Sequence, residues 1–297
     1  MKTILVLSDF SIRAAHATQY AIKLAQKIEA NVLLCNVFLV PSTTPMASQI
    51  AWPMENYEEL QQNSTNDLDK MVNNINNELD LDILMNGGFR PNIKYCSKVG
   101  FVADAISEIA KSHHVIMVVI GTHAKHGLGS FLMGDHARDI IEKADYPVLL
   151  IPEMAKGYDL KTIAFATDLS HTDTYVLHSL SGLAKHYYAE ILLTHVADES
   201  IADQKVEPAA KIFLSMVSSK VNYPKIYYRP IRGNNVVTGL DWIAAHTDID
   251  MLVMVHRKKG FFESLFQGSI TQKMAGHLTK PLLVFPCSKV EDTMPVF

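Results

Sequence analysis

The sequence predicts an α/β protein made of two copies of one domain, each a five-stranded parallel sheet between helices. Short continuous apolar runs alternate with helical patterns along the chain, as expected of buried parallel strands joined by crossover helices. The pattern then restarts: Leu160-Lys161-Thr162-Ile163 repeats Met1-Lys2-Thr3-Ile4, and at the same offset Thr167-Asp168-Leu169-Ser170 repeats Ser8-Asp9-Phe10-Ser11. Length agrees, because 297 residues suit two domains of about 150 each.

The first strand is Lys2 to Leu7, a buried apolar run ending at Ser8-Asp9-Phe10-Ser11. Ser11 is placed to cap a helix whose apolar positions Ala14, Ala17, Ala21, Leu24 and Ile28 step by three and four. Val32 to Val37 is the second strand, and a right-handed crossover makes it parallel to the first. Pro41 to Pro53 reads as a long loop, and Tyr57 to Leu79 as a polar helix with Leu60, Leu68 and Met71 among its apolar contacts. Asn92 to Cys96 is a third strand, and Val102 to Lys111 a third helix with Ile106 and Ile109 inward. Met117 to Ile120 is a fourth strand, predicted to end at Gly121. A loop with Gly127 and Gly129 leads to a helix opening at Gly134-Asp135, with Ala137, Ile140 and Ile141 on its buried face. Pro147 to Pro152 is a fifth strand whose bounding prolines suit an edge.

In the second copy, Leu183-Ala184 and Leu192-Leu193 repeat Leu24-Ala25 and Leu33-Leu34. Met251 to Met254 and Pro281 to Pro286 repeat the fourth and fifth strands at a shorter offset. The second copy is therefore expected to lack part of its middle, where the first carries the long loop and helix. The domains are predicted as 1–153 and 159–290, with Met154 to Tyr158 as linker.

Composition narrows the function classes. Hydrophobic residues at 48% and charged residues at 20% supply two cores, which excludes a disordered chain. A net charge of -4 with scattered basic residues gives no long-range attraction to nucleic acid or an anionic membrane. Neither a leader segment nor a membrane span is expected, and the absence of paired cysteine spacing among Cys35, Cys96 and Cys287 points to a reduced, cytoplasmic setting without disulfide or zinc site. His123, His126 and His136 fall in one segment but in no tight metal motif, so no metal is assigned. No nucleophile elbow, Walker A loop or dinucleotide glycine fingerprint is present, so no catalytic residue is nominated.

The stretch from Met117 to Asp135 carries the chemistry, since a strand feeding a helix N-terminus through small residues is where α/β proteins hold anions. Together with the strand ends Ser8-Asp9-Phe10-Ser11 and Asn36-Val37, and with the run Tyr146 to Pro152, it resembles the universal stress protein family in its tandem two-domain form, over nearly the whole length. The resemblance implies flavodoxin-like (adenine nucleotide alpha hydrolase-like) domains forming a pseudo-dimer. Their proline-bounded last strands, Val148 to Ile151 and Leu282 to Phe285, would lie at the contact. It also implies that nucleotide, when bound, lies over the carboxyl ends of the first and fourth strands.

On that resemblance the candidate positions for ATP, with Mg²⁺, are Asp9 at the adenosine, Val37 at the adenine edge, and Gly121, Thr122, Ala124, Lys125, Gly134 and Asp135 in the loop. In the second domain they are Asp168, Val196, Gly268 and Ser269. The family's ATP-binding pattern is Gly, two residues, Gly, nine residues, Gly, then Ser or Thr. Here Ala124 and Asp135 depart from it. A Cβ at a left-handed position costs about 1–2 kcal/mol. A carboxylate about 5 Å from a phosphate charge costs on the order of 3 kcal/mol, more than a hundredfold in affinity. Asp135 therefore repels phosphate, holds Mg²⁺ against it, or simply caps the helix. Asp9 and Asp168 equally suit local hydrogen bonding in a strand-to-helix turn. In the second domain Gly121 aligns with Val255 or His256, and His256 to Phe262 is either a cationic anion site or a solvated basic loop beside an aromatic plug. The expected function is a non-catalytic stress-response or regulatory protein with adenine-nucleotide binding in the first domain. The alternatives are a slow ATP hydrolase or nucleotidyl-transfer enzyme, and an interaction scaffold with both clefts plugged.

Overall fold

The computed structural model describes residues 1–38, 55–122, 135–198, 203–233, 236–257, 280–286, 294–295 and 297. The first half runs β1 (Thr3–Leu7), α1 (Ile12–Ile28), β2 (Asn31–Phe38), α2 (Glu55–Asn86), β3 (Ile93–Val99), α3 (Val102–Ser112), β4 (Val115–Thr122), α4 (Asp135–Lys143) and β5 (Val148–Pro152). The second runs β6 (Thr162–Ala166), α5 (Asp173–Tyr187), β7 (Glu190–Asp198), α6 (Asp203–Lys220), β8 (Ile226–Gly233), α7 (Val236–His246), β9 (Met251–His256) and β10 (Leu282–Pro286).

The strands join in one sheet ordered β3-β2-β1-β4-β5-β10-β9-β6-β7-β8. Every neighbouring pair is parallel except β5 with β10, which run antiparallel with Leu150 opposite Leu282 and Val148 opposite Val284. The order is two copies of 3-2-1-4-5 placed tail to tail. Each last strand, an edge of its own half, thus covers the other's open ladder. Pro147 and Pro152 sit at the ends of β5, where a missing N–H interrupts no bond in the middle of the ladder.

One face of the sheet is covered by α1, α2, α5 and α6, which contribute Leu24, Leu68, Leu180 and Phe213 to a single core running through both halves. The other is covered by α3, α4 and α7, with Ile106, Ile140 and Ile243. All five predicted apolar positions of α1 are buried. Ser11 caps that helix as the sequence predicts, its hydroxyl accepting from Ala14 N–H at 3.3 Å.

The middle of the second copy is shortened, as expected, with 18 residues in α6 against 32 in α2. Three expectations need correction. α2 extends past Leu79 to Asn86 because its first chain-breaking signal is Gly87-Gly88, where φ turns to +69° and +101°. Leu60 faces solvent, 42% exposed, since the core side of α2 is set by Leu68, Val72, Ile75 and Leu79. Finally, β4 does not end at Gly121: strand pairing continues through Gly121 opposite Ile151 and Thr122 opposite Pro152.

Candidate functional site

In each half the order of strands reverses between the first and the fourth, so a crevice is expected beyond the carboxyl ends of β1 and β4. In the first half this crevice is a cavity of about 340 Å³, with Leu7, Ser8, Asp9, Val37, Gly121 and Thr122 among its lining residues and Ala14 and Val102 at its wall. Four of the predicted positions, Asp9, Val37, Gly121 and Thr122, therefore meet around one space.

The turn after β1 is held by its own side chains. Ser8 Oγ accepts from Phe10 N–H at 3.2 Å, and Asp9 Oδ1 accepts from Ser11 N–H at 3.0 Å and from the Ser11 hydroxyl. These bonds hold Phe10 in the left-handed region, φ 60°, and the repeat does the same with Leu169, φ 64°. Arg13 reaches back to Asp9 Oδ2 at 3.1 Å. Partial burial works to raise the Asp9 pKa, but the Ser11 hydroxyl and amide and the Arg13 guanidinium outweigh it, leaving the carboxyl below its ordinary value. Asp9 thus presents an anionic acceptor at the cavity mouth. Asn36, the residue before Val37, ties β2 to this turn by donating from its side-chain Nδ2 to Ser8 C=O at 2.8 Å, while its Oδ1 accepts from the Ser64 hydroxyl at 2.9 Å.

Gly121 is needed for a close approach. A Cβ there would lie 2.6 Å from the Arg13 carbonyl oxygen and 2.8 Å from its carbonyl carbon, so only glycine lets the first turn of α1 rest on β4. That contact brings the N-terminal end of α1, with its exposed N–H groups, to the cavity. Beside it Thr122 is buried, its hydroxyl lacking a hydrogen-bond partner among the described residues. The predicted positions Ala124, Lys125 and Gly134 lie outside the described residues. Asp135 is the first described residue of α4.

The second half has the same frame with different contents. His195 stands where Asn36 does and makes the same tie, Nδ1 to Thr167 C=O at 3.0 Å; a carbonyl only accepts, so Nδ1 carries the proton. Strand register settles which residue corresponds to Gly121: Thr122 pairs with Pro152 and His256 with Pro286, so Val255 is the counterpart. Asp173, fully buried, stands at the repeat position of Ala14. It accepts from Thr167 Oγ1 at 2.6 Å and from Arg257 at 2.6 Å. The same guanidinium holds Asp168 at 2.8 Å and Thr172 Oγ1 at 3.2 Å. Arg257 is thus not part of a solvated basic loop; two carboxylates draw it in. Burial pushes the Asp173 pKa up to about 7, aided by the neighbouring Asp168 and opposed by Thr167 and Arg257. Val196 lies against α7, where a Cβ on Gly239 would come within 2.6 Å of it. Gly268, Ser269 and the Phe261-Phe262 pair lie outside the described residues.

Sequence reasoning missed Asp173, and with it the role of Arg257. The signal available was the change from Ala14 to Asp173 between copies, together with the cations Arg257, Lys258 and Lys259 that follow the second copy's fourth strand. It also missed that Cys35 and Cys96, distant in sequence, are register partners on β2 and β3. Among the described residues no group of three or more His, Cys, Asp or Glu side chains is arranged to hold a metal ion, and no helix is long and apolar enough to cross a membrane.

A family model described as the universal stress protein family matches residues 1–152 and again 159–286. Among solved structures, a universal stress protein from Archaeoglobus fulgidus DSM 4304 is similar at 11% identity and a TM-score of 0.70, covering 96% of this chain and 98% of that one. A functionally unknown protein from Pseudomonas aeruginosa PAO1 is similar at 11% identity and a TM-score of 0.58, covering 97% and 93%. At such identity the likeness speaks for the fold alone. A search of curated proteins returned no match.

Proposed function

Since the chain belongs to the universal stress protein family, in tandem two-domain form, we propose that it is a non-catalytic regulatory protein whose first-half cavity takes an adenine nucleotide and whose second-half cleft is closed by its own side chains. The observation that carries the reading is the convergence of Asp9, Val37, Gly121 and Thr122 on one cavity at the carboxyl ends of β1 and β4. Its volume of about 340 Å³ suits a nucleoside at the small end of ligand sites.

Each group has a fitting role. The Asp9 carboxylate can accept from ribose hydroxyls, the Val37 backbone can pair with the adenine edge, and Leu7, Ile120, Val102 and Ala137 supply apolar walls. Thr122 has a buried hydroxyl without a hydrogen-bond partner among the described residues. Phosphates, with any Mg²⁺, would fall to the segment between Thr122 and α4. Binding without turnover is favoured because Asp9, the acidic group at the cavity, is held below its ordinary pKa and paired with Arg13, which makes it a weak general base. In the second half, the Arg257 guanidinium and the Asp173 carboxylate fill the position that Ala14 leaves open in the first.

Calorimetric titration tests this. Adenosine should bind the wild type, and MgATP should bind no tighter than about 0.1–1 mM if Asp135 repels phosphate by about 3 kcal/mol. Asp135→Ser should then tighten MgATP by about a hundredfold and leave adenosine unchanged. If neither ligand binds either protein, the nucleotide reading fails. If Asp135→Ser weakens MgATP, the carboxylate serves Mg²⁺ instead.

A further inference from the structure

Cys35 and Cys96 are directly opposed in the parallel β2–β3 pair. Register partners on neighbouring strands lie about 4.8 Å apart and point to the same face, a separation within the Cα range that a disulfide spans. Both belong to the face that carries α3 and α4. Their environments differ. Cys35 is fully buried and lines the first-half cavity, whereas Cys96 is partly exposed. Lys98, two residues on and therefore on the same face as Cys96, brings a positive charge beside it, shared with Glu108 at 3.0 Å.

The polarity of the pair follows. The neighbouring Cys96 sulfur, then burial, pushes the Cys35 thiol above its ordinary value; the same pairing, with Lys98 and against burial, draws Cys96 below its own. The accessible sulfur is thus the better nucleophile, and the buried sulfur is held in its protonated form beside it.

We propose that Cys35 and Cys96 form a peroxide-oxidisable dithiol, a reversible modification site in the floor of the first half, with Cys96 as the attacking thiol and Cys35 as the resolving one. Cys96 thiolate attacks the O–O bond of a hydroperoxide, forming an S–O bond and releasing the distal oxygen as water or alcohol after protonation. Cys35 sulfur then attacks Cys96 sulfur, forming the S–S bond and expelling hydroxide, which leaves as water with the Cys35 proton. Two thiols lose two electrons, and the peroxide gains them. A dithiol reductant reverses the change. The chemistry requires no ligand in the cavity.

The test is peptide mapping of the folded full-length chain after hydrogen peroxide, with free thiols alkylated before and after reduction by dithiothreitol. A Cys35–Cys96 linked peptide, lighter by two hydrogens and reversed by dithiothreitol, is expected. Cys96→Ser should leave Cys35 as a free thiol, and Cys35→Ser should leave a sulfenic acid on Cys96 that dimedone captures; Cys35→Ala serves if the serine does not fold. Before oxidation, Cys96 should alkylate at least about tenfold faster than Cys35. The proposal is overturned if both thiols of the folded wild type still alkylate fully after peroxide, if the disulfide joins either one to Cys287, or if Cys35 oxidises equally well in Cys96→Ser.

Discussion

At the scale of single residues, the second half turns on Asp173. Its carboxylate is buried between Thr167 and Arg257. Removing the cation by Arg257→Ala leaves a buried charge without compensation, which should cost about 3–5 kcal/mol, read as a lowered midpoint in urea unfolding. Asp168→Asn, at an exposed carboxylate, should cost no more than about 1 kcal/mol. The pH dependence has an unusual sign. An aspartate whose folded-state pKa is raised from 3.8 to about 7 holds its proton more tightly when folded. Its penalty is therefore absent below about pH 4, grows as pH rises, and is complete above about pH 7. Between pH 5.5 and 8.5 this group should subtract about 2 kcal/mol from stability, and Asp173→Asn should flatten that slope in paired thermal melts. Neither the burial of Asp173 nor its partner was read from the sequence. Arg257 lies on another element, and no spacing along the chain reports a cross-cleft ion pair.

The elements themselves were mostly readable, because burial on a sheet face and amphipathicity on a helix leave a periodic trace. α1 came out with its cap, its face and nearly its ends. The errors fall where the trace is weak. α2 is polar enough that its ends depend on chain breakers, and Gly87-Gly88 outlast Leu79 as the stop signal. Gly121 was read as the end of its strand, whereas its backbone continues the strand and its missing Cβ admits the Arg13 carbonyl. Because the obstructing atom is backbone, Gly121→Ala should push α1 off β4, destabilising the protein by roughly 1–3 kcal/mol and weakening adenosine binding in calorimetry. An equally small addition at Gly157, where a Cβ would meet nothing within 4 Å, acts only through its positive φ of 78° and should leave adenosine binding unchanged.

At the scale of the whole molecule, the repeat was legible in the sequence itself, and the closure of two sheets through β5 and β10 was what the family resemblance implied for Pro147 to Pro152 and Pro281 to Pro286. The core on the α1–α5 side passes through both halves without a break. A charged substitution at the junction, Leu283→Asp, should accordingly lower the stability of both halves together, seen as one calorimetric transition at reduced temperature and not as the loss of one of two. What the repeat hid is the divergence of its clefts: Ala14 lines the first, whereas at the same repeat position in the second Asp173 pairs with Arg257. That asymmetry is most directly tested by backbone amide NMR during titration with adenosine. The account predicts shifts concentrated at Asp9, Val37, Gly121 and Thr122, with Asp168, Val196 and Val255 unmoved; no shifts at the first group, or shifts at the second instead, would contradict it.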